Sequence, residues 1–278
     1  MYMKKNLRDN QKVADYLTPL LEQAPATWAL IRANEIKALD VVDFKHPILD
    51  VGCGDGFVAK VTWMNRKGKI DVGIDLSEDE VKIAKRREIY KKCLVGNVYE
   101  LPFKNESFET VFSNSVVEHF PNLDQALSEM SRVLKKNGQF VITVPTPYLT
   151  KYLWGYQFFA SYKLFGLARN YGKFFNFMFK HYNLYNHKEW EKILRKYSIK
   201  LKKHHYYHTQ EMVQVHEFLA YLAVPYGISK IFFKHWIVFP SFRKIFVVPW
   251  LKKILYPYYL RNVKKDQGGS VLLVAIKV

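Results

Sequence analysis

One short segment constrains this chain more than any other: Ile48-Leu49-Asp50-Val51-Gly52-Cys53-Gly54-Asp55-Gly56. The apolar residues at its start, entered after the breaker His46-Pro47, have the length and composition of a buried strand. They run straight into three glycines at alternate positions. Glycine lets the backbone turn sharply and approach a ligand closely. The stretch Phe57 to Met64 then reads as a helix, whose N-terminus offers free N–H groups and positive potential. Strand, glycine turn and helix in that order belong to the ligand-binding edge of a parallel sheet.

The rest of the first half repeats the unit. Residues 11–40 carry apolar positions at helical spacing and divide into two helices near Pro25. A second strand is predicted over Ile70 to Asp75. Ser77 follows as an N-cap with Glu78, Asp79 and Glu80 in the first turn of a helix running to about Tyr90. A third strand is expected at Leu94 to Val98 and a fourth at Phe108 to Ser113. A helix over Leu123 to Leu134, a turn at Lys136-Asn137-Gly138 and a fifth strand from Gln139 to Val144 complete the series. Past Pro145 the pattern degrades into an aromatic and basic stretch, 147–182. Lys188 to Tyr197 reads as a helix, Ile199 to Tyr207 as a sixth strand, and Ser270 to Val278 as the last. Between them, residues 211–262 form a second aromatic-basic block that Pro225, Pro240, Pro249 and Pro257 are expected to cut into short helices. Alternating strands and helices predict an α/β fold: a doubly wound, seven-stranded, mostly parallel, Rossmann-like sheet with aromatic-basic helical insertions.

Charge divides the chain. The net charge is +18, but residues 1–130 carry −2 and residues 131–278 carry +20. The second half therefore implies an anionic partner, whether nucleic acid, lipid headgroups or a phosphorylated substrate. Cys53 and Cys93 have no metal-type spacing, and a reduced cytoplasmic chain is expected. Neither a secretory leader nor an apolar run long enough to span a bilayer is evident.

A glycine turn of this kind serves NAD, FAD or S-adenosylmethionine (SAM). The spacing Gly52-x-Gly54-x-Gly56 favours SAM, and Asp75 at the end of the second strand is placed to accept hydrogen bonds from a ribose diol. Ile48 to Gly56 resembles motif I of class I SAM-dependent methyltransferases. Gly73-Ile74-Asp75-Leu76-Ser77 resembles their second motif, and Gly96 to Phe103 the segment that meets the adenine. Ser107 to Val111 with Ser115 to His119 resembles the fourth strand and its loop, and Glu129 to Gly138 the helix and turn beyond. These five motifs stand in order over roughly residues 46–145, and the subfamily resembled includes the ubiquinone and menaquinone biosynthesis methyltransferases. The resemblance implies that Asp50, Gly52, Cys53 and Gly54 border the methionine and ribose side of SAM, with Cys53 as a small filler. It further implies Asp75 on the ribose, Leu76 on the adenine, Asn97 and Val98 at the adenine edge, and Ser113, Asn114 and Ser115 beneath the sulfonium, with S-adenosylhomocysteine as product. The domain plan is then N-terminal helices over the SAM site (1–45), a SAM-binding core (46–145), an acceptor-side cap with the sixth strand (146–210), a basic aromatic insertion (211–269) and the last strand (270–278).

The positive sulfur activates the methyl by itself, so the protein's task is to position the acceptor and, where needed, to take its proton. Candidates are His119 and Glu118, after the fourth strand, and His181, whose segment His181-x-x-x-Tyr185 resembles one that faces the acceptor pocket in this subfamily. A packing or capping role is the alternative for His119, and a structural hydrogen bond the alternative for His181. Related quinone-pathway enzymes bind a divalent metal with Glu-x-x-Glu-His; Ser115 stands where the first Glu would be, so no metal site is expected. Tyr148 and Tyr152 are candidates to line the acceptor pocket. His204, His205 and His208 alternate along a strand and are expected to split between its faces. Lys/Arg interleaved with Phe and Trp from Phe218 to Asn262 suits either the interface of an anionic membrane or a lid over the site. The expected function is methylation of a hydrophobic, membrane-associated small molecule (a quinone, lipid or lipid-linked sugar) by a protein peripheral on the inner face of the membrane. An RNA methyltransferase and a non-catalytic SAM-binding membrane adaptor are the alternatives, nucleic acid being the less favoured partner.

Overall fold

In a computed structural model, residues 13–223 and 240–278 are described. The strands are β1 (Ile48–Val51), β2 (Ile70–Asp75), β3 (Tyr90–Val95), β4 (Phe108–Asn114), β5 (Leu134–Pro145), β6 (Ile199–Tyr207) and β7 (Ser270–Lys277). They form one seven-stranded sheet in the order β3-β2-β1-β4-β5-β7-β6. β1 pairs in parallel with both β2 and β4, while β7 runs antiparallel between β5 and β6. The chain winds outward in both directions from β1, so a crevice opens at the carboxyl ends of β1 and β4, the switch point where open α/β sheets bind ligands.

Local chemistry places the helices. α1 (Leu17–Gln23) and α2 (Ala26–Leu39) separate at Pro25, and α3 (Phe57–Thr62) springs from the glycine turn. α4 (Glu78–Arg86) is capped by the Ser77 hydroxyl, which accepts from Glu80 N at 3.3 Å. It stops short of Tyr90: Glu88 takes a positive φ of 56° and turns the chain into β3. β3 therefore occupies Tyr90–Val95 rather than residues 94–98. It is an edge strand that buries Tyr90 and Cys93 and exposes Lys91 and Lys92 between them. α5 (Leu123–Val133) leads into β5, whose pairing with β4 begins at Leu134 and jumps across an irregularity to Gln139.

The stretch 147–182 is helical after all: α6 (Pro147–Tyr152), α7 (Trp154–Ser161) and α8 (Phe165–Met178) follow one another, and α9 (His187–Arg195) begins at a capping box built by Asn186 and Glu189. α10 (Gln210–Leu222) follows β6. Residues 240–247 turn into α11 (Val248–Leu260), which passes through Pro257 unbroken and accommodates Pro249 in its first turn. Neither proline cuts the block as its sequence predicts, because the first turn has no intrahelical use for Pro249's missing N–H and tertiary packing of Leu255 and Tyr259 holds the helix across Pro257. Pro225, Phe232, Phe233, Trp236 and Phe239 lie outside the described residues. No helix among the described residues is long and apolar enough to cross a membrane.

The N-terminal helices and the described part of the 211–269 insertion share one core. Leu17, Leu20, Leu30 and Ile36 pack with Met212, Val248, Leu255 and Tyr259, and with Phe57 and Val61 of α3. Arg243 is buried against the end of α1, donating to Leu21 O at 2.8 Å and Ala24 O at 2.9 Å, and so satisfies carbonyls the helix end leaves open. This joint layer lays α2 across the ends of β4, β5 and β6.

Candidate active site

The glycine turn closes one side of the crevice. Gly52 has φ +77°, and a Cβ there would lie 2.5 Å from Val116 Cγ1, so only glycine lets the turn nest under the loop after β4. Gly54 has φ +52° and open space where a Cβ would go. Its N–H donates to Asp75 Oδ2 at 2.8 Å, while Asp75 Oδ1 accepts from Ser77 N at 2.9 Å. The carboxylate is thus fixed at the end of β2, beside Leu76, whose side chain is 74% exposed. Beneath it Asp50 is buried and accepts from Tyr90 Oη at 2.7 Å. Burial, with the Asp75 charge adding to it, pushes the Asp50 carboxyl up to about 7 against that hydrogen bond. Such a group ionises readily when a cation arrives. An open glycine cradle, an exposed apolar platform and two carboxyls fit an adenosine cofactor carrying a cationic methionine part. Asn97 is exposed with its side chain turned back onto Tyr99 N at 3.0 Å, and Val98 is half-buried nearby. Cys53 and Cys93 are free thiols.

The serine-rich strand end meets a group that sequence patterns do not single out. Ser113 is buried and donates to Val51 O at 2.9 Å. Ser115, at φ 52°, donates its hydroxyl to Glu35 of α2, and Asn114 shares a hydrogen bond with Thr143. Glu35 is 1% exposed and also accepts from Thr143 Oγ1 at 3.0 Å, Tyr207 Oη at 3.2 Å and Arg32 Nη1 at 2.7 Å. Burial alone would raise its pKa. The Arg32 charge and the hydrogen bonds from Ser115 and Arg32 outweigh that and hold it below the usual carboxylate range. Residue type does not single it out, because α2 also carries Arg32, Asn34 and Lys37.

Glu118, His119 and His181 converge on the far side. Asn183, buried, clamps the two segments, donating to Val117 O at 3.0 Å and Phe120 O at 2.8 Å, while Tyr182 N donates to Glu118 O at 2.8 Å. The His119 and His181 rings stack with centroids 5.5 Å apart. His119 Nδ1 lies 3.1 Å from Lys180 O. A carbonyl only accepts, so Nδ1 carries the proton and Nε2 presents its lone pair. Burial lowers the pKa of His119, and burial together with His119 takes His181 down to about 4. Burial pushes Glu118 up to about 8. Near neutrality the group is therefore two neutral imidazoles and a carboxylic acid. Among the described residues, Glu118 Oε2 and His181 Nδ1 are buried without a hydrogen-bond partner, an arrangement that points to a ligand. One donor atom from each of the three lies within 4.8 Å of the others, so a divalent cation could be held here, His181 standing where Ser115 offers no ligand.

Tyr148 and Tyr152 pair with each other at 5.7 Å, and Tyr152 donates to Gln267 O, on a cleft of about 750 Å³ that Thr209, Glu211 and Arg261 also line. The structure does not bring them into contact with the histidines. His208, past the end of β6, is a core residue with hydrogen-bond contacts to Ser270 Oγ and Ile31 O, each at 3.0 Å. His204 stacks on His187 at 3.9 Å and faces Asp266 at 3.4 Å, while His205 lies exposed on the strand.

The sheet order, the glycine turn and Asp75 define the core as a class I SAM-dependent methyltransferase domain. Comparisons with known proteins agree. Residues 49–142 match the family model described as a methyltransferase domain. An uncharacterized protein of Methanocaldococcus jannaschii is 40% identical over 106 residues, which is 38% of this chain and 39% of that protein. The chain thus spans about two fifths of that relative's length. The ubiquinone biosynthesis O-methyltransferase of Pelagibacter ubique is 27% identical over 165 residues, 54% of this chain and 68% of that one. Among solved structures, a geranyl diphosphate methyltransferase in complex with SAM has a TM-score of 0.54 at 16% identity, covering 91% of this chain and 90% of its own; that likeness is one of fold.

Two outcomes follow for this site. Asp50 is protonated in much of the free protein below its pKa of about 7, and a cationic ligand favours its ionised form, so binding there releases a proton. SAM affinity, read by calorimetry, is expected to rise ~10-fold from pH 6 to pH 8, and Asp50→Asn to flatten that slope; a slope unchanged in the variant would remove Asp50 from the cofactor site. Glu35→Ala leaves Arg32 without its buried counter-charge and should cost ~3–5 kcal/mol in chemical denaturation. A loss under ~1 kcal/mol would mean that Glu35 does not tie α2 to the sheet.

Proposed function

We propose that the chain transfers a methyl group from SAM to a hydrophobic, membrane-associated small molecule of the quinone, lipid or lipid-linked sugar kind, working peripherally on the cytoplasmic face of an anionic membrane. The observation that carries the catalytic part is His119: a neutral imidazole with Nδ1 committed to Lys180 O and an unprotonated Nε2 that lies 3.8 Å from Glu118 Oε1, at a site where two buried polar atoms lack partners. When bound, SAM supplies an electrophilic methyl on a positive sulfur and leaves as S-adenosylhomocysteine. His119 Nε2 takes the acceptor's proton as its oxygen or nitrogen is methylated. His181, packed against Phe175 and Phe179, orients His119 by stacking, and the His119 side chain stays open to an arriving acceptor. Glu118, held neutral by burial, leaves the proton's destination to the imidazole. Asp50, Gly52, Gly54, Asp75 and Leu76 hold the cofactor, with Asn97 and Val98 at the adenine edge and Ser113, Asn114 and Ser115 between cofactor and acceptor. The +20 charge of residues 131–278 supports the anionic surface, and the apolar walls around His181 support a hydrophobic acceptor.

The test incubates the protein with methyl-labelled SAM, membranes, total RNA and soluble metabolites, then partitions the label. Label in the organic phase is expected, with His119→Ala lowering it by ~10²-fold or more while SAM binding persists. Label confined to RNA or soluble metabolites would overturn the acceptor class; full turnover by His119→Ala would overturn its role as base.

A further inference from the structure

α7 and α8 form a hairpin whose polarity is the reverse of an ordinary amphipathic helix pair. Its fully buried positions are small residues, with Tyr156, Tyr171 and Phe175 half-buried beside them. Ala168 and Gly172 are the buried positions of α8, and Gly155 is that of α7. A Cβ on Gly155 would lie 2.4 Å from the Tyr171 ring, and one on Gly172 2.5 Å from Thr150 Cγ2. The buried Glu217 carboxylate anchors the hairpin, accepting from Trp154 N, Gly155 N and Tyr171 Oη. Other large apolar side chains point the other way. Phe165, Leu167, Phe174, Phe177 and Met178 of α8 are exposed, Phe177 by 78%, and so are Trp154 and Phe158 of α7. Monomers in water seldom keep so contiguous an apolar face.

The charge around this face has one sign. No Asp or Glu occurs between Glu129 and Glu189, while Lys163, Arg169, Lys173 and Lys180 stand exposed on the hairpin and its ends. Lysines and arginines beside outward Trp and Phe fit the headgroup boundary of an anionic bilayer, where the rings enter the acyl edge and the cations meet phosphate. Leu167 and Met178 offer nothing to a nucleic acid. The inner end of the hairpin reaches the active site: Asn176 O accepts from His181 N at 2.8 Å, and the Phe175 and Phe179 rings stand 6.1 and 5.9 Å from His181.

We propose that the α7–α8 hairpin inserts its outer face into an anionic bilayer, and that an acceptor dissolved there reaches His119 and His181 along the hairpin's inner end. This rests on the membrane-associated acceptor proposed above, and it assigns docking to residues 154–179; the 211–269 block, which also exposes Phe246 and Trp250, is left intact in the test. Co-sedimentation tests it, using vesicles of phosphatidylcholine alone and vesicles mixed equally with phosphatidylglycerol. The intact protein should bind the mixed vesicles at least ~10-fold more tightly. The triple variant Phe165→Glu, Phe174→Glu, Phe177→Glu should lose that binding while keeping its melting temperature and SAM affinity. Lys163→Glu with Lys173→Glu should weaken it, and salt should weaken it in the intact protein. Triple-variant binding equal to that of the intact protein overturns the proposal. So does a dimer of the intact protein that the triple variant converts to monomer, or loss of RNA binding rather than vesicle binding. Docking is read without an acceptor. Undiminished vesicle binding by the triple variant with label in the organic phase therefore sinks the hairpin alone, and hairpin-dependent docking with label only in RNA or metabolites sinks the acceptor class alone.

Discussion

The carboxylate of Glu35 is the interaction on which the site's geometry depends. It sits on α2, outside the sheet, yet it gathers hydroxyls from Ser115 after β4, Thr143 of β5 and Tyr207 of β6, and pairs with Arg32. A charge taken out of water costs several kcal/mol unless it is fully paired. Here each partner comes from a different element, so the pairing is complete only when α2 lies in one place and the strand ends are in register. The loop that carries Glu118 and His119 leaves β4 at Ser115, whose backbone N–H is held by Thr143 O at 3.0 Å. The N-terminal helices are therefore part of the site's architecture, and the glycine turn alone would not build it.

The crevice is divided electrostatically. On the cofactor side, Asp50 and Asp75 place carboxyls where a cationic ligand would lie. On the acceptor side, burial does the opposite work: it keeps His119 and His181 unprotonated and Glu118 protonated. Desolvation is the largest cause of both, since it disfavours whichever form is charged, and at the histidines neighbouring charges add to it. The consequence is a proton-accepting pocket with little net charge beside an anionic cofactor pocket, which suits removal of a proton from an uncharged acceptor better than capture of a charged one.

Much of this was legible in the sequence because it is local. Strands β1 and β7 are largely apolar runs entered after Pro47 and Gly269, β2 alternates Ile and Val with Asp and Gly, and the cap at Ser77 and the glycine turn announce themselves by residue type. β3 was misplaced because an edge strand buries few side chains: Tyr90 and Cys93 carry its pattern, and the basic residues between them continue the charge rhythm of the helix before. His119 and His181 could be picked out singly, but their stacking depends on Asn183, an unremarkable residue whose two hydrogen bonds span more than 60 positions. Glu35 is hidden for the same reason. A single sequence carries residue type and spacing along the chain, and the pairings that complete a buried polar group are spacings across it.

Composition placed the membrane-facing surface in the later basic aromatic block, whose described part does expose Phe242, Phe246 and Trp250, while the α7–α8 hairpin presents an outward apolar face that composition did not single out. In α11, Val248, Leu255 and Tyr259 point inward and pack on the N-terminal helices, while Trp250, Ile254 and Leu260 are exposed. In α8 the fully buried positions are Ala168 and Gly172, Phe175 turns in toward His181, and Phe165, Phe174 and Phe177 are exposed. The two helices differ in what seats them: large buried side chains in α11, small ones flanked by Tyr171 and Phe175 in α8. A helix that seats itself through glycine and alanine gives up most of the burial, at roughly 25 cal/mol per Å² of apolar surface, that would otherwise hold it in place. Glu217 and the ring of Tyr171 make up part of that loss with directed contacts, which fix orientation more than they add stability. Such a hairpin is held firmly enough to keep its inner end against His181, and its outer face gains the remaining apolar burial only when something apolar comes to meet it.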